Sequence, residues 1–301
     1  MSSFSDLFNF CLSLAHTANK VLRLDSQGQV DVFMKDPETI DYVTSVDLHI
    51  EEVIVNALKY HFPSVRVIGE ESIEAKPVDI PLEYKTQTDP VSLALPEYDL
   101  SELVVWIDPL DGTSYFVQKE YESVSFLLGI SFKGRPVAGI ISQPLNVNSG
   151  FELVYGIIGI GAFIDGKPLN PQWPPSDEMV ITVSDTLSQK SFVDNVVQNL
   201  GHKSVLHNNG TGTKLLTVIR GFSHAFIQCL GRTKRWDTCA GEAIIVSMGG
   251  TVFNMDKELI EYNPDADFAN TRGCVAVAPV LDADSLYSRL VLPEHIPVSY
   301  T

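Results

Sequence analysis

Apolar residues recur at helical spacing near the start of the chain. Phe4, Leu7, Phe8, Cys11, Leu12, Ala15 and Ala18 share one face, which predicts an amphipathic helix over 4–23. A polar stretch follows, and a second helix opens at Val43-Thr44-Ser45-Val46-Asp47. Its expected core face is Ile50, Val53, Ile54, Ala57 and Leu58, and it ends before Pro63. Residues 65–69 read as a short strand running into Glu70 and Glu71, and 74–100, rich in Pro and polar residues, as a surface excursion. Val104-Val105-Trp106-Ile107 is apolar without alternation, the pattern of a strand buried on both faces. It ends in Asp108-Pro109-Leu110-Asp111-Gly112-Thr113. Pro109 has no N–H with which to continue a central ladder, so both aspartates stand where a strand leaves its sheet.

Beyond this point 124–132 and 136–143 predict a hairpin about Lys133-Gly134-Arg135. More strand follows at 152–158 and 161–164, with Asp165-Gly166 as a turn. The composition of 170–178 marks a boundary between an N-terminal α+β domain (1–176) and a C-terminal α/β domain (177–301). In the latter, strands at 179–184, 203–206, 224–230, 251–254 and 274–278 interleave with helices at 188–200, 213–221, 238–248 and 282–290. There is no internal repeat.

Charge narrows the partners. A formal net charge of −17 over 301 residues argues against a nucleic-acid polymer or an anionic membrane. A small phosphorylated substrate stays open, because a bound cation inverts the local field. The four cysteines are scattered, which fits reduced thiols rather than a disulfide framework or zinc ribbon. With no membrane-span pattern and no secretion signal, a cytoplasmic protein is expected.

Acids follow apolar runs or open helices at Asp47, Glu70 with Glu71, Asp108 with Asp111, and Asp237. Converging carboxylates repel and need a cation. Oxygen ligands without a nearby histidine favour Mg²⁺ over zinc or iron, and the Leu110 carbonyl would be a further ligand. Taken singly, each acid reads as a helix cap or a solvated charge; the 108–113 cluster is the exception. Gly112 permits close backbone approach, and Thr113 can cap a following helix. Gly210-Thr211-Gly212-Thr213-Lys214 reads as a helix-start turn or as an anion loop with a lysine charge, at the wrong spacing for a Walker motif. Arg232, Lys234 and Arg235 are a solvated basic run or contacts to a second phosphate. Ser13 and Ser45 lack a nucleophile-elbow setting, Cys239 reads as core, His49 as exposed or structural, and His207 as a residue of the second-half cleft.

Together these residues resemble the lithium-sensitive, Mg²⁺-dependent phosphatase superfamily that contains inositol monophosphatase, fructose-1,6-bisphosphatase, inositol polyphosphate 1-phosphatase and the bisphosphate nucleotidases. Its two signatures are similar to Asp-Pro-Leu-Asp-Gly-Thr at 108–113 and Trp-Asp-Thr-Cys-Ala-Gly at 236–241. Gly69-Glu70-Glu71-Ser72 resembles its metal-ligand segment, and the block at 43–47 its early aspartate motif. The nucleotidase branch is the nearest in likeness. The resemblance implies a layered αβαβα sandwich and a phosphoric monoester hydrolase acting on 3′-phosphoadenosine 5′-phosphate, with Li⁺ inhibition and a monomeric state. It implies one Mg²⁺ on Glu70, Asp108 and the Leu110 carbonyl, a second on Asp108, Asp111 and Asp237, and a weaker third at Glu71. It further implies that Asp47 orients Thr113, which takes a proton from the attacking water. Gly112, Thr113, Ser184, Gly210, Thr211 and Lys214 would hold substrate. One departure is Ser184-Asp185-Thr186-Leu187, where the branch carries a histidine at the place of Leu187. This leaves room for inositol 1,4-bisphosphate. Inositol polyphosphate 1-phosphatase or dual activity, plain inositol monophosphatase activity and a catalytically dead binding protein are the alternatives.

Overall fold

A computed structural model of the chain describes residues 2–36, 41–79, 95–185, 190–201 and 203–292. In the first half the elements run α1 (Phe4–Asp25), β1 (Val32–Asp36), β2 (Asp41–Thr44), α2 (Ser45–His61), β3 (Arg66–Gly69), β4 (Leu103–Asp111), α3 (Thr113–Gln118), β5 (Ser125–Phe132), β6 (Arg135–Ser142), β7 (Val154–Ile157), β8 (Gly161–Ile164) and β9 (Lys167–Pro168). The second half continues with β10 (Val180–Ser184), α4 (Lys190–Val197), β11 (Ser204–Asn208), α5 (Thr211–Ile219), β12 (Ala225–Gln228), β13 (Thr233–Lys234), α6 (Arg235–Ser247), β14 (Thr251–Phe253), β15 (Ala269–Asn270), β16 (Cys274–Val277) and α7 (Ala283–Tyr287).

Strands β3 to β9 form a seven-stranded sheet in sequence order. Only its first pair, β3 with β4, is parallel. A five-stranded sheet follows the order β11-β10-β12-β16-β14, with β10 parallel to both its neighbours. Three apolar cores separate five layers. Helices α1 and α2 pack on one face of the first sheet through Phe8, Leu12, Ile50, Ile54, Val105 and Ile107. Helices α5 and α6 lie between the sheets, against Trp106, Leu127, Phe226 and Ala276. Helices α4 and α7 cover the far face of the second sheet, against Ile181, Val196, Val275 and Leu286. The result is the αβαβα sandwich expected.

A row of glycines seats α6. Gly129, Gly139 and Gly156 are in register across β5, β6 and β7. A Cβ on them would lie 2.6 Å from the Cys239 side chain, 2.2 Å from the Ala240 carbonyl oxygen and 2.8 Å from the Ile244 Cα respectively. Without side chains there, the helix backbone rests directly on the strands. The hairpin at 133–135 and the Asp165-Gly166 turn form as expected, with positive φ at Lys133 and Gly134 and at Asp165 and Gly166.

Other expectations shift. The polar stretch before Asp47 holds the antiparallel β1–β2 pair, and Val32, Phe33 and Met34 are exposed on it. On α2, Val53 is half-buried, whereas Glu51, Val55 and Asn56 are buried. Helix α5 begins at Thr211, two residues early, and α6 at Arg235, three residues early. In both, a site carboxylate supplies the missing cap. Much of the 74–100 excursion, residues 80–94, lies outside the described residues, as do Thr186, Leu187 and the first two residues of the helix expected at 188–200.

Candidate active site

All nine residues of β4 are buried, and Asp108 and Asp111 are 2% and 7% exposed. The ladder with β5 slips between them, an irregularity in which three steps along β4 oppose two along β5. Asp108 Oδ1 accepts the Leu110 amide at 3.1 Å. Gly112 then turns the chain at φ 90, where a Cβ would stand 2.5 Å from the Ser123 carbonyl oxygen, so only glycine fits.

Helix α2 delivers Asp47, which is fully buried. Asp47 is the third residue of the helix, and its carboxylate accepts both the Thr44 amide, at 2.9 Å, and the Thr44 hydroxyl. That capping box leaves Oδ1 facing Thr113, whose hydroxyl lies 3.1 Å from it and 3.0 Å from the Leu110 carbonyl oxygen. Asp237 is placed by the same device: it is the third residue of α6 and accepts the Lys234 amide at 2.8 Å. Trp236 beside it packs on Phe268, ring centroids 5.4 Å apart, and Phe268 meets Trp106 at 5.7 Å.

Glu70 follows the end of β3, its amide bonded to the Ile107 carbonyl at 3.1 Å. Glu70 and Glu71 both pair with Lys35, a residue of β1 that no sequence pattern assigns to this site. Burial and then the charge of Glu70 raise Asp108 and Asp237 well above the usual carboxylate range; Asp111 bears on both, and Asp237 also on Asp108. Asp47 rises through burial, and Glu71 is pushed up to about 7 by burial, against the pull of Lys35. Among the described residues, no three acidic, histidine or cysteine side chains stand together as a ready-made metal cluster. The donor chemistry nevertheless fits a hard divalent cation. The buried carboxylates of β4 and the half-buried Asp237 of α6 feel one another's charge and that of Glu70, and a cation among them would lower all their pKa values at once.

Asp111 also reaches the second half of the chain. Oδ1 accepts the Thr211 amide at 3.0 Å, and Oδ2 accepts the Gly212 amide and the Ser125 hydroxyl, both at 2.8 Å. The carboxylate thus caps α5, whose N-cap residue Gly210 has no side chain to do so. One turn on, Lys214 is 6% exposed. Its ammonium donates to Ser184 Oγ at 2.9 Å and Gln228 Oε1 at 3.5 Å, and lies 5.3 Å from the Phe226 ring centre. Burial lowers its pKa to about 8.

The remaining candidates fall elsewhere. His49 is exposed and bonded to Asp25 at 2.7 Å, and His207 is exposed on β11. Cys239 is buried against Gly129. Arg232 and Lys234 are exposed, whereas Arg235 Nη1 is buried without a hydrogen-bond partner among the described residues. Sequence reasoning missed Lys35, Ser125, Gln228 and Glu51. Glu51 alone left a usable signal, its spacing of one helical turn from Asp47.

Comparison with known proteins identifies the family. Residues 5–290 match the inositol monophosphatase family. Human 3′(2′),5′-bisphosphate nucleotidase 1 is 31% identical over 277 residues, covering 88% of each chain. Among solved structures, the extragenic suppressor protein suhB from Bartonella henselae superposes with a TM-score of 0.71 at 20% identity, covering 95% of this chain and 98% of its own. A structure of IMPase/NADP phosphatase complexed with Mg²⁺ and phosphate gives 0.66 at 16% identity, covering 95% of both. The chain therefore belongs to the inositol monophosphatase family and is a phosphoric monoester hydrolase.

Proposed function

We propose that this enzyme hydrolyses the 3′-phosphate of 3′-phosphoadenosine 5′-phosphate, with Mg²⁺ held by Glu70, Asp108, the Leu110 carbonyl, Asp111 and Asp237 and more weakly by Glu71. One observation carries the reading: the Thr113 hydroxyl lies between Asp47 Oδ1 and the Leu110 carbonyl, beside the buried carboxylates of β4. Bound Mg²⁺ supplies Lewis-acid polarisation of the phosphoryl group and a lower pKa for the attacking water. Thr113 has one hydroxyl proton and two acceptors. With the Leu110 carbonyl engaged as a ligand, that proton lies toward Asp47, and Thr113 Oγ1 keeps its lone pairs for a proton from water. Burial raises Asp47, which suits it to accept the proton that Thr113 passes on.

The choice of a bisphosphate rests on Lys214. It is a buried cation whose hydrogen bonds among the described residues go to two neutral groups, Ser184 and Gln228, so a second phosphate would bring it a counter-charge at bonding distance. The likeness to the human nucleotidase favours a nucleotide. Inositol 1,4-bisphosphate is the second reading, favoured by Leu187 at the place of the nucleotidase histidine. The reading extends to Li⁺ inhibition and to a monomeric, cytoplasmic enzyme. It also divides the chain at residues 176 and 177, with Asp237 and the substrate loops in the second unit. No described helix is long and apolar enough to cross a membrane.

A phosphate-release panel tests the substrate: 3′-phosphoadenosine 5′-phosphate, its sulfated form, inositol 1,4-bisphosphate, inositol 1-phosphate and fructose 1,6-bisphosphate. The adenosine bisphosphate should show the highest kcat/KM. Preference for an inositol phosphate would move the assignment to the second reading. Binding of Mg²⁺ and substrate without phosphate release would make this a binding protein.

A further inference from the structure

Helix α2 brings a second acid to the site, one turn beyond Asp47 and on the same face. Glu51 is fully buried. Its Oε2 accepts the Glu71 amide at 2.8 Å, and Oε1 accepts the Ile73 amide at 3.0 Å. The carboxylate fits because residue 69 is glycine. A Cβ there would lie 2.3 Å from Glu51 Cδ and 2.5 Å from each carboxylate oxygen. Between the two bonded amides Ser72 adopts φ 53, a left-handed conformation that a non-glycine residue holds only when its surroundings impose it. The chain makes this turn directly after β3, so the direction of the Glu70 and Glu71 side chains depends on it.

The geometry points to Glu51 as a positioning residue: by binding the Glu71 and Ile73 amides it fixes the turn that presents Glu70 and Glu71, and so sets how tightly Mg²⁺ is held. Asp47 and Glu51 make α2 a two-pronged support, one prong on Thr113 and the other on the 70–73 turn. This inference rests on the reading of Glu70 as a Mg²⁺ ligand. Both carboxylate oxygens of Glu51 are taken up by amides of the turn itself.

The test uses the full chain with Glu51→Gln, which keeps the shape but turns an NH₂ group toward one of the two amides. Calorimetric titration with Mg²⁺ alone should show binding weakened about 10- to 100-fold, the usual cost of losing a group that orients a metal ligand. The Glu71 and Ile73 amides should exchange hydrogen faster while those of α1 keep their protection, and kcat at saturating Mg²⁺ should stay near wild type. Gly69→Ala drives a methyl group into the same carboxylate from the other side and should give the same weakening. The double variant should be little weaker than either single one, because both release one contact. Glu70→Gln separates the two readings. If it loses Mg²⁺ while Glu51→Gln and Gly69→Ala bind as wild type, the inference falls and the ligand assignment stands. If Glu70→Gln binds Mg²⁺ as wild type does, the ligand assignment falls and the inference with it. Should Glu51→Gln not fold, Gly69→Ala decides by the same readouts. Unprotected Glu71 and Ile73 amides in the wild-type protein would overturn the inference by themselves.

Discussion

Gly139 lies at the centre of the glycine row beneath α6, and an alanine there has no room for its methyl group. The Cβ would stand 2.2 Å from the Ala240 carbonyl oxygen, about 1.2 Å short of the 3.4 Å at which ordinary contact begins. The obstacle is helix backbone, so no change of rotamer relieves it. The helix must lift by about that amount or the strand must sink. Ala240 is one turn from Asp237, and the displacement reaches the carboxylate with little loss. A misplacement of about 1 Å at a reacting centre costs roughly 10²-fold in rate, and overpacking of this kind about 1–3 kcal/mol in stability. Gly139→Ala should therefore lose about 100-fold in kcat/KM for phosphate release and bind Mg²⁺ more weakly, while a urea titration still shows a cooperative fold. Gly28→Ala, whose Cβ would meet only the Asp25 carbonyl oxygen at 3.5 Å, is the control and should behave as wild type. Wild-type kcat/KM and Mg²⁺ affinity in a folded Gly139→Ala would refute the idea that α6 fixes Asp237 through this seat.

Two further outcomes follow from buried charges. Lys214 titrates at about 8, so KM for a bisphosphate substrate should rise as pH passes that value. Lys214→Met should raise this KM about 10- to 100-fold and leave that of a monophosphate nearly unchanged, and an equal effect on both would remove Lys214 from second-phosphate binding. Glu71 and Glu242 are both pushed by burial from an ordinary 4.5 to about 7. Between those values the native state holds protons that the unfolded state has released. Their contribution to stability is complete below about pH 4.5 and is lost as pH rises to about 7. Urea midpoints of the metal-free protein should fall across that window, and Mg²⁺ should restore more stability at pH 8 than at pH 5; a midpoint that rises with pH contradicts this.

The strand and turn at 103–113 were legible because several independent signals coincide: an unbroken apolar run, a proline that cannot pair, and two acids with glycine and threonine. The sheets and most helices were legible from periodicity. The antiparallel β1–β2 pair was not. It is short, and Val32, Phe33 and Met34 are exposed, so no burial pattern marks it, and Lys35 went unnoticed with it. The starts of α5 and α6 lie ahead of their apolar pattern because their caps are remote or unusual: Asp111 lies a hundred residues from Thr211, and Asp237 caps backward onto Lys234. Glu51 is marked in sequence only by its spacing of one turn from Asp47, and the void at Gly69 shows where it goes. The glycine row is visible as three separate glycines, but their alignment is a matter of register between strands.

Asp108→Asn is the most direct test of the account, measured as Mg²⁺ affinity and phosphate release side by side. Asparagine removes a buried charge that Glu70, Asp111 and Asp237 oppose. The metal-free variant should therefore unfold at or above the wild-type urea midpoint, while Mg²⁺ binding weakens and turnover falls by several orders of magnitude. A folded variant that keeps near-full, Mg²⁺-dependent turnover would contradict the claim that Asp108 holds the metal.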